Sequence, residues 1–299
     1  VSSAGDVDGD GLDDVLVGSQ YDDDGANNAG AAYVVLGSSL GTTSTIDLST
    51  SDYKLVGEGF YAQAGYSVSS AGDVDGDGLD DVLVGAIGDN DGGGYAGAAY
   101  VVLGASLGTT STIDLSNADY KLVGESSDRV GWDVSSAGDV DGDGLADVLV
   151  GAWGNDDGGR YAGAAFVVLG SSLNTSTTID LSNADYKLIG ESVDDLAGTS
   201  VSSAGDVDGD GLDDLLVGAP WNADGGSYAG AAYIILGSSL GTTSTIDLSN
   251  ADYKLVGESA GNRAGSSVSS AGDVDGDGLD DLLIGATPYP GVVYVVLGS

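Results

Sequence analysis

An all-β fold, a β-propeller of five blades, is what this sequence predicts, and three observations predict it. The segment Val-Ser-Ser-Ala-Gly-Asp begins at residues 1, 68, 134, 201 and 268, and a fixed period of this size means a repeat architecture. Each unit offers short strand candidates bounded by Gly, Asn, Asp or Ser. No segment keeps a 3.6-residue apolar period over three turns, so helix is disfavoured. Four-stranded units with both sheet faces buried describe propeller blades, and five units fall within the usual range of about four to eight. A parallel β-solenoid is the competing repeat fold, but its coils are usually much shorter.

The second unit serves as the template. A polar strand, residues 67–71, leads into an acidic loop and then an apolar strand, Asp81-Val82-Leu83-Val84-Gly85. A Gly-rich connection (Asp89 to Gly94) precedes Ala98-Ala99-Tyr100-Val101-Val102-Leu103. A Ser/Thr-rich segment with Thr112-Ile113-Asp114-Leu115 then leads to Tyr120-Lys121-Leu122-Val123-Gly124. The second and third strands are continuously apolar, as strands buried on both faces are. The first and fourth are more polar, as strands nearer a rim or edge would be. The chain is expected to form one propeller domain over 1–299, with blade units 1–67, 68–133, 134–200, 201–267 and 268–299.

The last unit is clipped. Its hairpin, Thr287-Pro288-Tyr289-Pro290-Gly291, is shorter than the others, and Gly298-Ser299 is followed by no Tyr-Lys-Leu-Val strand. Four such strands carry Lys54, Lys121, Lys187 and Lys254, with Glu58, Glu125, Glu191 and Glu258 just after them. Either the polypeptide simply stops there, or the open edge of the last blade accepts a strand from another molecule. Edge strands template such pairing, and head-to-tail addition that does not close gives filaments.

Composition narrows the function. The net charge of −41 comes from 48 acidic against 7 basic residues, a field that repels nucleic acid and anionic membranes. Cys, His and Met are absent, which removes disulfides, thiolate metal sites and Ser-His pairs. No apolar run approaches the ~20 residues of a membrane-spanning helix. The chain starts at Val1 with no signal peptide before it, as a mature or trimmed product would.

The stretch that carries chemistry is Asp6-Val7-Asp8-Gly9-Asp10-Gly11-Leu12-Asp13-Asp14, repeated from Asp73, Asp139, Asp206 and Asp273. Counted from its first Asp, positions 1, 3, 5 and 9 are acidic in all five copies, position 6 is Gly and position 7 is Leu. Carboxylates with the position-7 carbonyl make an all-oxygen set, which suits Ca²⁺ and its irregular six to eight ligands better than Mg²⁺. The candidate ligands are Asp6, Asp8, Asp10, Leu12 and Asp14; Asp73, Asp75, Asp77, Leu79 and Asp81; Asp139, Asp141, Asp143, Leu145 and Asp147; Asp206, Asp208, Asp210, Leu212 and Asp214; and Asp273, Asp275, Asp277, Leu279 and Asp281. That gives about five Ca²⁺ ions, one per repeat. An EF-hand needs Glu at position 12; here it is Val17, Val84, Val150, Val217 or Ile284, inside a strand. Position 8 is Asp13, Asp80, Asp213 and Asp280 but Ala146 in the third unit, so it is left out of the ligand set.

Each unit resembles an FG-GAP repeat, the blade of the integrin α-subunit propeller. The matching parts are the Asp-x-Asp-Gly-Asp-Gly-x-x-Asp loop, the Asp-x-Leu-Val-Gly-Ala strand and the later Gly-Ala-Ala-Tyr-Val-Val-Leu strand. The resemblance spans essentially the whole chain and implies a β-propeller with one calcium per blade, between the first and second strands. It departs from the family where "Phe-Gly" reads Ala64-Gly65, Val130-Gly131, Ala197-Gly198 and Ala264-Gly265, and a full Gly-Ala-Pro occurs once, at 218–220. The family usually has seven blades, so closure with five is left open. Integrin ligand recognition depends on a second subunit and does not carry over.

A second set of acids lies in the hairpins: Asp22-Asp23-Asp24, Asp89 with Asp91, Asp156-Asp157, and Asp224. These read as solvated turns. Near-identical repeats give no pair of carboxylates in differing environments, so no enzyme is expected. Trp132, Trp153 and Trp221 are expected to pack between blades rather than to contact sugar. The expectation is a secreted or cell-surface, calcium-binding, non-enzymatic structural or adhesion module with an unknown protein or glycan partner, no nucleic acid and no membrane insertion. The alternatives are a filament subunit, self-associating through the last blade, and a carbohydrate-binding lectin.

Overall fold

A computed structural model describes residues 1–41, 44–108, 110–241, 243–287 and 291–299; the clipped hairpin at 288–290 lies outside them. The chain adopts the expected all-β class. Five sheets of propeller-blade type account for its regular structure, and the described helices are turns of three or four residues. By its contacts the chain divides into two compact units, Val1–Ser135 with Gly170–Asn183, and Ser136–Leu169 with Ala184–Ser299.

The first unit holds two sheets. In the first of them Ser2–Gly5, Asp14–Ser19, Ala31–Val35 and Tyr53–Val56 run antiparallel in sequence order. A fifth strand, Thr112–Asp114, then adds in parallel to Tyr53–Val56. The second sheet repeats this with Ala64–Gly72, Asp81–Ala86, Ala98–Val102 and Tyr120–Val123, capped in parallel by Thr178–Asp180. By its sequence the Thr-Ile-Asp segment belongs to a connection within its own unit. It is instead a strand that closes the sheet of the unit before. The reason is hydrogen bonding: the outer edge of Tyr53–Val56 would otherwise be bare, and edges must be paired or covered.

The second unit holds three sheets. Val134–Gly138, Asp147–Ala152, Ala164–Val168 and Tyr186–Ile189 are capped by Thr245–Asp247. Among the described residues Ser200–Gly205, Asp214–Ala219, Ala231–Ile235 and Tyr253–Val256 have no fifth strand, and the last sheet has three strands, Ala264–Gly272, Asp281–Ala286 and Val292–Val296. The expected missing outer strand is therefore a missing outer strand in sheet five and a missing cap on sheet four.

In the second, third and fourth sheets the second and third strands are buried on both faces, as their unbroken apolar runs imply, whereas Asp14–Ser19 is only partly buried and Val292–Val296 is largely exposed. Adjacent blades meet at backbone contact. A Cβ on Gly18 would lie 2.1 Å from the Gly65 carbonyl oxygen, and one on Gly65, whose φ is +76°, 2.1 Å from that of Ala31. Both glycines are thus required, one by space and one by space and conformation. At the family's phenylalanine position, Ala64, Val130, Ala197 and Ala264 are buried, and a neighbouring Gly30, Gly97, Gly163 or Gly230 forms a parallel bridge to them.

Candidate metal centre

Each acidic loop is a set of turns folded on its own carboxylates. In the second unit Asp73 Oδ1 accepts from the N–H groups of Gly76 (2.7 Å) and Asp77 (3.1 Å), and Oδ2 from Gly78 (2.9 Å). Asp75 Oδ1 accepts from Asp77 N–H, and Asp77 Oδ1 from Leu79 N–H. Such short-range Asp-to-backbone bonds hold the chain in consecutive turns. Gly76 and Gly78 take φ of +80° and +90°, a region open to glycine at little steric cost.

The position-9 carboxylates are different. Asp14, Asp81, Asp147, Asp214 and Asp281 are buried, each at the start of the second strand. Asp81 Oδ2 accepts from Val74 N–H at 2.9 Å and its Oδ1 from Gly104 N–H at 2.8 Å. Asp14 makes the same two bonds to Val7 and Gly37, Asp214 to Val207 and Gly237, and Asp281 to Val274 and Gly298. This carboxylate ties the loop to the end of the third strand. The glycine partner is not singled out by the loop pattern, although Gly37, Gly104 and Gly237 recur 23 positions after it and Gly298, beyond the clipped hairpin, 17.

Carboxylate oxygens converge in each described cluster. Oxygens of Asp6, Asp8 and Asp10, of Asp73, Asp75 and Asp81, of Asp139, Asp141 and Asp147, and of Asp206, Asp208 and Asp210 lie within 4.8 Å of one another. Carboxylate oxygens that close can share one cation, and an all-oxygen donor set has the chemistry of a hard divalent ion. Burial pushes the Asp81 carboxyl up to about 7 and that of Asp214 to about 6; backbone hydrogen bonds oppose this, and neighbouring loop carboxylates add to it.

Position 8 has another role. Asp80 Oδ2 accepts from Asp6 N–H at 2.8 Å, Asp213 Oδ2 from Asp139 at 2.8 Å, and Asp280 Oδ2 from Asp206 at 3.1 Å. Each position-8 residue also donates its N–H to the carbonyl of the same partner. It clamps its loop to the preceding one.

Asp23 and Asp156 are exposed and accept from N–H groups of their own turns, as expected, but the other hairpin acids do more than cap solvated turns. They hold the lysine of the fourth strand. Lys54 pairs with Asp22 at 3.0 Å and with Asp24, Lys121 with Asp89 (3.0 Å), Asp91 (2.6 Å) and Glu58, Lys187 with Asp157, and Lys254 with Asp224 and Glu191. The register puts Tyr100 opposite Lys121, and its hydroxyl donates to Glu58 at 2.6 Å. Glu58, Asp89 and Asp91 could converge on a metal, but the Lys121 ammonium fills that place. Burial opposes the Lys121 charge, yet hydrogen bonds to Asp91 and Glu58 and the field of Asp89 outweigh it and raise its pKa. Of the tryptophans, Trp132 meets the expected packing between repeats and the other two differ from it. Trp132 stacks on Tyr66 with ring centroids 4.7 Å apart, whereas Trp153 and Trp221 pack on Tyr161 and Tyr228 of their own hairpins.

Comparison with known proteins agrees with this geometry. Residues 1–35, 64–102, 197–235 and 264–296 match the FG-GAP repeat family. Over 172 residues the chain is 33% identical to integrin alpha-PS2 of Drosophila melanogaster, covering 54% of this chain and 11% of that protein. It is 33% identical to integrin alpha-4 of Xenopus laevis over 50% of this chain and 14% of that protein. It is also 30% identical to phosphatidylinositol-glycan-specific phospholipase D of Dictyostelium discoideum over 81% of this chain and 27% of that protein. The chain thus spans roughly a tenth to a quarter of the length of these relatives.

Proposed function

From the premise that this chain is an FG-GAP repeat protein of the integrin-α type, we propose that it is a calcium-stabilised, non-enzymatic adhesion or structural module working outside the cell. The observation that carries this reading is the convergence of Asp73, Asp75 and the buried Asp81, with oxygens within 4.8 Å. Like charges at that spacing repel, and a divalent cation turns the repulsion into binding. Asp6, Asp8, Asp10, Asp14 and the Leu12 carbonyl, with their equivalents in each repeat, would hold the ion. The ion would supply charge neutralisation and fix the loop. Millimolar extracellular calcium suits sites of modest affinity, and the integrin relatives favour a surface partner.

The kinship with a phospholipase D bears on the non-enzymatic part of the proposal. That part rests on the near-equivalence of the repeats, whose acidic loops recur five times with the same carboxylates at positions 1, 3, 5 and 9. Among the described residues no helix is long and apolar enough to cross a membrane. A glycan partner has one observation in its favour: Tyr95, Trp221 and Tyr228 stand exposed on the hairpins, where aromatic faces suit sugar stacking.

Calorimetric titration of chelator-treated protein with Ca²⁺ tests the proposal. About five equivalents bound, with a rise in melting temperature, is the expected result. Absence of any calcium-dependent shift sinks it.

A further inference from the structure

Neighbouring acidic loops touch through residues that stand among their own candidate ligands. In the first unit Asp80 of the second loop accepts the Asp6 N–H through Oδ2 at 2.8 Å and donates its N–H to the Asp6 carbonyl at 3.1 Å. Asp80 lies between Leu79 and Asp81, two candidate ligands of its own loop, and Asp6 is the first candidate ligand of the loop before. Leu79 makes a second contact. A Cβ on Gly9 would lie 2.9 Å from Leu79 Cδ2, so the leucine side chain rests on the turn between Asp8 and Asp10. Room for the clamp is reserved by glycine: a Cβ on Gly5, whose φ is +73°, would fall 2.1 Å from Asp80 Oδ2.

The second unit repeats both contacts twice in series. Asp213 accepts from Asp139 N–H and Leu212 rests on Gly142; Asp280 accepts from Asp206 N–H and Leu279 rests on Gly209. In the third loop position 8 is Ala146, which has no carboxylate to offer. The clamps therefore join loops one and two within the first unit, and loops three, four and five within the second.

Resting on the reading that these loops hold calcium, we infer that the position-8 carboxylate and the position-7 leucine couple neighbouring calcium sites, which fill as a cooperative pair in the first unit and a cooperative triad in the second. The cause is shared ordering. Leu79 and Asp81 cannot be fixed as ligands without fixing Asp80 between them, and Asp80 holds both the N–H and the carbonyl of Asp6. The loop before is then already ordered at Asp6 and Gly9, and its closure loses less conformational entropy. Linkage makes the effect reciprocal: Asp6, fixed as a ligand, sets the anchor on which Asp80 rests. Position 8 is a positioning residue here, outside the ligand set.

The test is hydrogen exchange, read by mass spectrometry while calcium is titrated into the full chain, with peptides from residues 1–20 and 64–90 reporting loops one and two separately. Asp75→Ala removes a ligand of loop two. It is expected to move the calcium midpoint for protection of loop one upward by ~5-fold or more, while loops three to five keep the parent's midpoint and serve as the control for folding. In an Asp80→Ala background the same change is expected to leave loop one's midpoint nearly unmoved. With Asp80→Asn, whose amide oxygen still accepts, the shift is expected to persist. A loop-one midpoint unaffected by Asp75→Ala, or a shift of equal size with Asp80→Ala, overturns the coupling and leaves calcium binding standing. Absence of calcium-dependent protection in every loop of the parent removes the calcium reading, and the coupling with it.

Discussion

Asp80 grips Asp6 twice: its Oδ2 accepts the Asp6 N–H at 2.8 Å, and its own N–H donates to the Asp6 carbonyl at 3.1 Å. The two residues sit at the ends of different loops, so the pair is a direct tie between consecutive repeats. Asp80→Ala keeps the backbone half and removes the carboxylate half, leaving the Asp6 N–H without that acceptor. A loss of about 1–2 kcal/mol is expected in urea titration, with Asp80→Asn losing less because an amide oxygen still accepts. An unchanged midpoint for Asp80→Ala would contradict the clamp.

Two acids of one loop are expected to separate by their calcium dependence. Asp75 mainly faces the cluster, while Asp81 also ties Val74 and Gly104. Asp75→Ala should lower the melting temperature in calcium and leave it nearly unchanged in chelator. Asp81→Ala should destabilise in both, by ~2–3 kcal/mol for the lost charge-assisted bonds. Equal behaviour of the two variants would show that position 9 is no more than a ligand.

Lys121 is the counter-ion of three acids, and its side chain and that of Asp89 are nearly shut off from water. Lys121→Met strands Glu58 and Asp89 as like charges, at a cost of about 3–5 kcal/mol. The triple change Lys121→Met, Glu58→Gln, Asp89→Asn should recover most of that loss. Failure to recover would mean the lysine matters through packing.

Asp195 titrates in the direction that weakens the fold as pH rises. Burial raises its carboxyl to about 6 from an ordinary 3.8, with the Asn222 amide opposing and Glu191 adding. The folded chain then holds a proton that the unfolded chain has released, so stability falls as pH climbs from about 4 to about 6. Asp195→Asn keeps an acceptor for Asn222 and should flatten that part of the stability profile, as measured by denaturation at several pH values. A variant profile parallel to the parent's would refute the assignment.

The repeat, its strands and the five acidic loops follow from local rules, because each is written in consecutive residues. Glycine at alternate loop positions permits the turns, aspartate supplies the oxygens, and unbroken Val-Leu-Val and Tyr-Val-Val runs demand burial on both faces. Those features belong to the sequence by itself.

Relationships between repeats were decided only by tertiary structure. Thr112–Asp114 looks like linker until the bare edge of Tyr53–Val56 is beside it. Asp80 looks dispensable beside Ala146 until its partner, Asp6, is seen in another loop. The hairpin acids look solvated until the register brings a lysine between them. In each case a hydrogen-bonding or charged group is satisfied by a partner some thirty to seventy positions away, and no local pattern encodes which distant group completes it.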